Sequence, residues 1–287
     1  MKDPRSQRNT AATANAGRVQ VAISADDTEI VGRVRGDGPP LVLVHGGWGD
    51  GEVAYESLVP YLTDRFTCYT PSTRGRGLSG DSSDHSVQRL AEDVAAFIDS
   101  IGEPAYVLGW SGVDFTLGAV RQSANVAAVT LFEGGVLLTA SEADLGSFGG
   151  TVEQTGAAAT DGRLDDAARG FAPLVMSDDE LAAASDDFYE QWGQSVPAML
   201  QYFQQNMASE AAKPDAPEQL ARVSVPLLAL WGQRTRMRDW FARSAEHYAH
   251  HVPNGRVRDI AGIGHFAPVV APKVLAEELI SEFEPTR

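Results

Sequence analysis

From Arg18 onward, short apolar runs alternate with longer amphipathic segments along the chain. The amphipathic segments EVAYESLVPYLTD, SVQRLAEDVAAFIDSIG, RDWFARSAEHYAHHV and APKVLAEELISEF predict helices. Strand-like patterns predict strands in RVQVAISA, TEIVGRVRG, PPLVLVHGG, FTCYT, PAYVLGW, VAAVTLFEG, VPLLALWG and GRVRDI, with the first two forming an antiparallel pair joined at Asp26 and Asp27. This order predicts an α/β fold with a mostly parallel sheet covered by helices on both faces.

The alternation stops between about Gly135 and Val223, where acidic and aromatic helical segments replace it. We therefore predict one α/β core, residues 18–134 and 224–287, with residues 135–223 inserted as a helical cap. Residues 1–17 contain no apolar run that could serve as a signal-peptide core and are predicted to form a disordered tail.

Charge and composition narrow the classes of partner. The formal net charge of -16 disfavours binding to phosphate backbones and anionic membrane surfaces. The single cysteine, Cys68, lies in an apolar strand pattern and is interpreted as a core residue, and no segment has the roughly 18 consecutive apolar residues that span a bilayer. We expect a cytoplasmic protein with a small-molecule substrate and no nucleic-acid or membrane partner; a homodimer is left open.

Four of the six histidines are considered as metal ligands, and their sequence context does not indicate a metal site. His85, His247, His250 and His251 lie on polar or helical segments without a convergent partner and are interpreted as surface residues. The expectation is that the protein uses neither a metal nor an organic cofactor.

The segment Gly109-Trp110-Ser111-Gly112 joins a buried strand to a helix, where a G-x-S-x-G nucleophile elbow would place a reactive serine. Gly109 suits the strained turn, whereas Val113 occupies the position of the second motif glycine. The alternative interpretation is a serine that only caps an ordinary helix.

Two further glycine turns fit the same chemistry. His45-Gly46-Gly47-Trp48-Gly49 ends an upstream strand and could supply the Gly47 amide to a developing oxyanion, with Gly112 as the second donor. His265, in Gly262-Ile263-Gly264-His265-Phe266, follows the last strand and is the candidate general base.

The sequences HGGWG, GWSG, RGRGLSG and GIGHF, in this order, resemble the α/β-hydrolase superfamily from about Arg18 to Phe283. The resemblance implies a central sheet of eight strands, a cap formed by the insertion and acyl transfer through an ester on Ser111. Epoxide hydrolases and haloalkane dehalogenases of this superfamily need an aspartate at the elbow, so the serine argues against both activities.

The triad acid departs from the usual pattern. Many relatives carry an aspartate in a G-x-x-D turn after the strand that follows the cap, but that turn here ends in Thr235. Glu133, at the end of the strand before the cap, is the preferred acid, because the chain is similar in this respect to the fungal hydrolases that open the macrolactone zearalenone. Asp239 is the rival acid, and Glu133 could alternatively be a hinge residue. Asp114 is interpreted as a first-turn residue favoured by the helix dipole.

Aromatic residues suggest the kind of substrate. Trp48 and Trp110 flank the predicted catalytic turns, and the cap carries Phe188, Tyr189, Trp192, Met199, Tyr202 and Phe203 at roughly helical spacing. Such a stripe could be simple core packing. If it lines a pocket, with Trp48, Trp110, Trp192, Phe188 and Tyr202 contacting substrate, an uncharged, bulky or aromatic molecule is favoured.

The sequence therefore predicts a serine hydrolase that cleaves an ester or lactone bond, with a macrolactone such as zearalenone as one candidate substrate. Two alternatives stay open. The same residues could serve a carbon-carbon bond hydrolase, an amidase, or a cofactor-free lyase or perhydrolase. The chain could also be a catalytically inactive homologue that binds a small ligand.

Overall fold

The computed structural model describes residues 18–209 and 211–283, and within them eight strands form one sheet. The strands are β1 (Arg18–Ile23), β2 (Glu29–Arg35), β3 (Pro40–Val44), β4 (Thr67–Pro71), β5 (Ala105–Trp110), β6 (Val126–Phe132), β7 (Leu227–Gly232) and β8 (Gly255–Ile260). Their order across the sheet is β1-β2-β4-β3-β5-β6-β7-β8. β2 runs antiparallel to both β1 and β4, and all other neighbours are parallel. The predicted fold class is confirmed.

The central strands are apolar because helices cover both of their faces. All five residues of β3 are buried, and in β5 only Tyr106 is partly exposed. Cys68 on β4 is 1% exposed and is a free thiol, and burial raises its pKa to about 12. Its prediction as a core residue is confirmed. Since both faces of the centre are covered, the exposed end of the parallel strands is where functional loops can gather.

Helices connect the strands and cover the sheet. Those of the core are α1 (Val87–Ser100), α2 (Val113–Gln122), α9 (Arg238–His251), α10 (Ala267–Val270) and α11 (Pro272–Phe283). Ser86 caps α1 by accepting a hydrogen bond from the Arg89 amide, and α1 packs its apolar face against α2.

One predicted helix does not form as expected. The segment EVAYESLVPYLTD, residues 52–64, consists of successive turns and a short 3₁₀ helix at Val59–Tyr61. Pro60 lies in the middle of this segment and has no backbone N–H to donate, so a regular α-helical hydrogen-bond ladder cannot pass through it. Tyr55, Leu58 and Leu62 are nevertheless fully buried.

Helical structure fills the chain between β6 and β7. After a 3₁₀ turn at Leu137–Thr139, the helices are α3 (Glu142–Thr160), α4 (Leu164–Val175), α5 (Asp178–Ala183), α6 (Asp186–Gly193), α7 (Val196–Ala208) and α8 (Pro217–Leu220). Trp192 of α6 packs edge-to-face against Trp48 in the loop after β3, with ring centroids 5.0 Å apart. The inserted helices therefore lie over the carboxyl end of the sheet.

None of the helices in residues 18–209 and 211–283 combines the length and apolar character that crossing a membrane requires. The tail predicted for residues 1–17 lies outside the described residues.

Candidate active site

Ser111 lies in the turn between β5 and α2. Its backbone has φ = 62°, a left-handed conformation that is rare for residues other than glycine. The Ser111 amide donates to the Phe132 carbonyl of β6 at 3.0 Å, which ties the turn to the neighbouring strand. The side chain is partly exposed and lines a cavity under the inserted helices. Such strain is typical of functional positions, where the surrounding structure holds it in place.

Val113 is tolerated in this turn because Gly134 provides the space. A Cβ atom on Gly134 would lie 2.3 Å from Cγ2 of Val113, so the valine side chain occupies the volume that a side chain at 134 would need. Val113 is 2% exposed and begins α2. The missing second glycine of the elbow is thus matched by a glycine on the adjacent strand end.

Glu133 and His265 form a buried pair next to that turn. His265 Nδ1 lies 2.8 Å from Glu133 Oε2, and the two residues are 3% and 2% exposed. Glu133 Oε1 accepts from the Gly232 amide at 2.6 Å. Like Ser111, Glu133 has a positive φ, here 48°.

Burial raises the pKa of Glu133, and its contacts with His265, the Gly232 amide and Thr235 oppose that rise in part. Thr235, where many relatives have aspartate, is buried, and its amide lies 3.4 Å from the carbonyl of Gly232, the residue whose own amide donates to Glu133. Asp239, the rival acid, is exposed at the start of α9.

The glycine turn after β3 touches the serine directly. A Cβ atom on Gly46 would lie 2.8 Å from Cβ of Ser111, so only glycine allows this approach. Among the described residues, none accepts a hydrogen bond from the Gly47 amide. The Gly112 amide donates to the Trp110 carbonyl at 2.6 Å within the tight turn. Of the two predicted oxyanion donors, the Gly47 amide is therefore free of a hydrogen bond to the described residues, whereas the Gly112 amide already donates one within the turn.

Buried polar residues fix the peptide groups of the glycine turn. Thr73 N donates to His45 Nε2 at 3.0 Å, so His45 Nδ1 carries the proton that it donates to the Gly46 carbonyl at 2.7 Å. Burial lowers the pKa of His45 to about 3, which keeps the ring neutral. Arg76, from the RGRGLSG loop, donates to the Gly47 carbonyl at 2.7 Å. The sequence patterns did not indicate these roles for His45 and Arg76.

A cavity of about 290 Å³ contains Ser111 and His265 in its wall. Four of the five predicted substrate-binding residues line it: Trp48, Trp110, Trp192 and Tyr202. The prediction for Phe188 requires correction. Its ring stacks on Trp192, with centroids 5.2 Å apart, and packs edge-on against Phe266, so Trp192 and Phe266 separate it from the cavity.

The cavity wall also contains aromatic residues outside the five predicted substrate-binding residues, and of these only Phe203 was part of the aromatic stripe noted in the cap sequence. The additional aromatic side chains in the cavity wall are Phe148, Phe171, Phe203, Trp240, Phe241 and Phe266. Trp240 is fixed by a hydrogen bond of 2.8 Å from Nε1 to the Val136 carbonyl. The contributing segments are distant in sequence, and periodicity does not show which side of each helix faces the cavity.

Asp114 is more than a first-turn residue. It does lie in the first turn of α2, but its carboxylate also lines the cavity, and the Tyr202 hydroxyl donates to it at 2.9 Å from Oδ1 and 2.8 Å from Oδ2. Burial raises the pKa of Asp114 to about 6, against the opposing effect of the Tyr202 hydrogen bond. The interpretation from the helix dipole alone was incomplete.

The histidine predictions are also partly corrected. His85 is 1% exposed, with Nε2 2.9 Å from Asp81 Oδ1. His247 is partly buried, with Nε2 2.9 Å from the Asp215 carbonyl, and His251 is partly buried as well, whereas His250 is exposed. Within residues 18–209 and 211–283, no group of three or more His, Cys, Asp or Glu side chains is arranged to hold a metal ion.

A family model and a solved structure both relate the chain to the same protein family. A model described as the alpha/beta hydrolase family matches residues 41–278. The crystal structure of an alpha/beta hydrolase from Sphaerobacter thermophilus is 26% identical, with a TM-score of 0.66, over 92% of this chain and 100% of that one. The resemblance predicted from the motifs is confirmed at the level of the superfamily.

Curated relatives match over a shorter region. A pyrrolizixenacetamide deacetylase from Xenorhabdus hominickii is 34% identical over 97 residues, 34% of this chain and 35% of its own. A pimeloyl-[acyl-carrier protein] methyl ester esterase from Methylococcus capsulatus is 37% identical over 101 residues, 34% of this chain and 38% of its own. The matched region thus spans little more than a third of the length of these relatives.

Proposed function

The chain belongs to the alpha/beta hydrolase family, and from this we propose that it is a serine hydrolase that cleaves an ester or lactone bond of an uncharged, bulky or aromatic substrate. One observation carries the proposal. A serine in a strained strand-to-helix turn shares a cavity with a histidine whose Nδ1 is bonded to a buried carboxylate. These are the parts of a nucleophile, base and acid triad.

In the proposed reaction, Glu133 holds the proton of His265 on Nδ1 and leaves Nε2 free to accept one. His265 Nε2 takes the Ser111 hydroxyl proton while Ser111 Oγ attacks the substrate carbonyl carbon. Collapse of the tetrahedral intermediate breaks the bond to the leaving oxygen, which takes the proton from His265. Water then attacks the acyl-enzyme with His265 again as base, which releases the acid and restores Ser111.

The negative charge on the carbonyl oxygen needs preorganised donors. The unengaged Gly47 amide is the first, and the bond from His45 Nδ1 to the Gly46 carbonyl strengthens it, since that carbonyl belongs to the same peptide group. The Gly112 amide is the second donor. Its hydrogen already bonds to the Trp110 carbonyl, so the oxyanion must compete with that carbonyl for it.

The cavity wall supports the proposed substrate class. Its predominantly aromatic lining favours a bulky apolar or aromatic group, and its volume of about 290 Å³ suits a small molecule rather than a polymer. Leu138 and Met207 line the cavity and are 64% and 63% exposed, so the cavity opens to solvent past apolar side chains. A macrolactone such as zearalenone stays one candidate within this class.

The relatives' names agree with chemistry at a carbonyl carbon, since one is a deacetylase and another a methyl ester esterase. We extend this chemistry to the chain as part of the proposal. Among the described residues that line the cavity, none makes a contact that favours carbon-carbon cleavage, lyase or perhydrolase chemistry over simple hydrolysis.

A substrate panel tests the proposal. We would measure hydrolysis of phenyl, naphthyl and alkyl esters and of small and macrocyclic lactones by wild type and Ser111→Ala, with the fold of both checked by circular dichroism. The proposal predicts turnover of aromatic esters or lactones by wild type and its loss in Ser111→Ala. Turnover that persists in Ser111→Ala would exclude the serine mechanism.

A further inference from the structure

The loop after β8 carries His265 and has glycines just before it. We refer to residues 261–266 as the catalytic loop. Gly262 has φ = 78°, and Gly264 directly precedes His265. Since glycine restricts the main chain less than any other residue, these two positions do not by themselves fix the direction of the imidazole. Glu133 bonds to Nδ1, and Phe241 stacks on the ring with centroids 5.2 Å apart, but both contacts are to the side chain. The aim of His265 therefore also depends on what holds the main chain of the loop.

A carboxylate from the inserted helices makes that contact. Glu180 lies in α5 and is 4% exposed. Its Oε1 accepts a hydrogen bond of 3.0 Å from the Phe266 amide, which belongs to the peptide group that directly follows His265. Its Oε2 accepts one of 2.7 Å from the Ser177 amide, just before the same helix. One buried side chain thus ties the first turn of α5 to the main chain of the catalytic loop.

The catalytic loop leaves space for this carboxylate. A Cβ atom on Gly264 would lie 2.8 Å from Oε1 and 2.9 Å from Oε2 of Glu180, so only glycine allows the two to approach so closely. Gly264 precedes His265 and Phe266 follows it, so Glu180 contacts the main chain on both sides of the histidine. Hydrogen bonds from amides to a carboxylate are roughly twice as strong as those between neutral groups, which suits this contact to fixing a loop.

The charged neighbours of Glu180 in α5 make weaker contacts with the core. Arg234 pairs with Asp179 and Arg236 pairs with Asp178, and the two arginine side chains are 53% and 43% exposed. Exposed ion pairs contribute little to stability and are screened by salt. Both arginines also lie in the segment after β7 rather than in the catalytic loop. Of these three contacts, that of Glu180 is the buried one and reaches the catalytic loop directly.

Aromatic packing of Phe266 does not replace the Glu180 contact. The Phe266 ring packs against Trp48 and Trp192, with centroids 5.5 Å and 5.0 Å apart. These contacts hold the ring in the cavity wall, whereas the peptide between His265 and Phe266 can still turn about the backbone dihedrals on either side of it. The bond to Glu180 fixes the plane of that peptide, and the direction of the His265 side chain depends on this plane.

We propose that Glu180 is a positioning residue for His265: by bonding the main chain of the catalytic loop, it directs Nε2 of the imidazole toward Ser111. This inference rests on the proposed function, because it concerns the base of the same reaction. Glu180 is outside the cavity wall, so it acts through His265 and not on the substrate. The inserted helices thereby take part in the chemical step as well as in forming the cavity.

Glu180→Ala removes both hydrogen bonds and tests the proposal by kinetics. We expect kcat for an ester that wild type hydrolyses to fall about 10- to 100-fold, because a base displaced by about 1 Å loses that much. KM should change little, since Glu180 does not line the cavity. Labelling of Ser111 by a fluorophosphonate should slow by the same factor as kcat. Glu180→Gln keeps one acceptor oxygen in place of two, so its kcat should lie between those of Glu180→Ala and wild type.

Ser177→Ala is the matched control, because it weakens the same turn of α5 and keeps the carboxylate. The Ser177 hydroxyl accepts a hydrogen bond from the Glu180 amide, and this cap is lost in the variant. The urea midpoint of unfolding should therefore fall, while kcat stays at the wild-type value. Circular dichroism establishes that each variant is folded at the assay temperature. A role of Glu180 in the stability of α5 alone would instead lower both midpoints and leave kcat unchanged in both variants.

Hydrogen exchange tests the loop contact without turnover. Because the Phe266 amide is bonded to a buried acceptor, a peptide covering residues 262–270 should exchange slowly in wild type and in Ser177→Ala. The same peptide should exchange faster in Glu180→Ala, where the amide has lost its acceptor. Mass spectrometry after short exposure to heavy water measures the three proteins side by side.

Wild-type kcat in folded Glu180→Ala, a rise in KM in place of the fall in kcat, or an equal loss of kcat in Ser177→Ala would overturn the inference. Unchanged exchange of residues 262–270 in Glu180→Ala would overturn it as well. Failure of the proposed function would show differently, as wild type that hydrolyses no ester and takes up no fluorophosphonate while exchange still quickens in Glu180→Ala. That result would uphold the loop contact and overturn its catalytic purpose.

Discussion

His265 Nδ1 lies 2.8 Å from Glu133 Oε2, and both side chains are almost completely buried. The contact joins the end of β6 to the loop after β8, two elements separated by the whole helical insertion. Since Glu133 also accepts from the Gly232 amide, its carboxylate is held by two adjacent strand ends. The pair can fix the tautomer of His265 and stabilise its charged form, and the proposed mechanism depends on both effects.

Replacing the acid should slow the chemical step. Glu133→Gln keeps the shape of the side chain but removes the negative charge that stabilises the imidazolium, so we expect kcat for a hydrolysed ester to fall about 10³- to 10⁴-fold. KM should change little, because Glu133 is not in the cavity wall. Steady-state kinetics with a chromogenic ester measure both constants.

Two companion variants sharpen this experiment. Asp239→Asn should keep wild-type kcat, since Asp239 is exposed. Thr235→Asp in the Glu133→Gln background should recover part of the lost activity, because Thr235 is buried in the turn whose Gly232 amide donates to Glu133. A loss in Asp239→Asn as large as that in Glu133→Gln would contradict the assignment of the acid.

The packing of Val113 against Gly134 predicts that a substitution at one position compensates for a destabilising substitution at the other. Gly134→Ala would place a Cβ atom 2.3 Å from Val113 Cγ2, and we expect the free energy of unfolding to fall by about 1–3 kcal/mol. Val113→Gly/Gly134→Ala removes the clash and should be more stable than the sum of the single changes predicts. Urea unfolding of the four proteins measures this coupling, and strict additivity would show that the two residues do not share the space.

The approach of Gly46 to the serine predicts a loss of activity from one methyl group. Gly46→Ala would bring its Cβ atom to 2.8 Å from Ser111 Cβ, so the turns must move apart, and we expect kcat to fall by about a hundredfold. Gly146→Ala is the matched control, since a Cβ atom there meets no other atom within 4 Å. Equal kcat in both variants would argue against a close fit of the two turns.

His45 predicts how stability depends on pH. Burial lowers the pKa of its imidazole from 6.5 to about 3, so the unfolded chain binds a proton there at pH values where the folded protein does not. This contribution to stability is fully present above pH 6.5 and is lost as the pH falls toward 3. Between pH 7 and pH 5, the free energy of unfolding should fall by about 2 kcal/mol more in wild type than in His45→Gln. Chemical unfolding of both proteins at pH 7 and pH 5 measures this difference. An equal fall of the unfolding free energy in wild type and His45→Gln would mean that folding does not lower the pKa of His45.

The parts that sequence could predict are those with a local signal. Each of the eight strands coincides with a segment whose pattern predicted a strand, and Ser111 and His265 each follow a strand in a glycine-rich turn that a few adjacent residues define. Residues 52–64 were less predictable because their apolar spacing suits a helix while Pro60 interrupts the hydrogen bonding.

The remainder of the site depends on contacts between distant segments. Three features of the site arise from contacts between segments that are distant in sequence. Gly134 makes room for Val113, Trp192 and Phe266 lie between Phe188 and the cavity, and Asp215 lines the cavity wall. Hydrophobic periodicity identifies a helix face as apolar but does not identify its partner.

The most direct test of the central claim is the reaction of Ser111 with a fluorophosphonate, followed by intact-mass spectrometry of wild type, Ser111→Ala, Glu133→Gln and Asp239→Asn. We predict one adduct on wild type and Asp239→Asn, none on Ser111→Ala, and slow labelling of Glu133→Gln. Absence of an adduct on folded wild type, or an adduct that persists in Ser111→Ala, would contradict a triad built on Ser111.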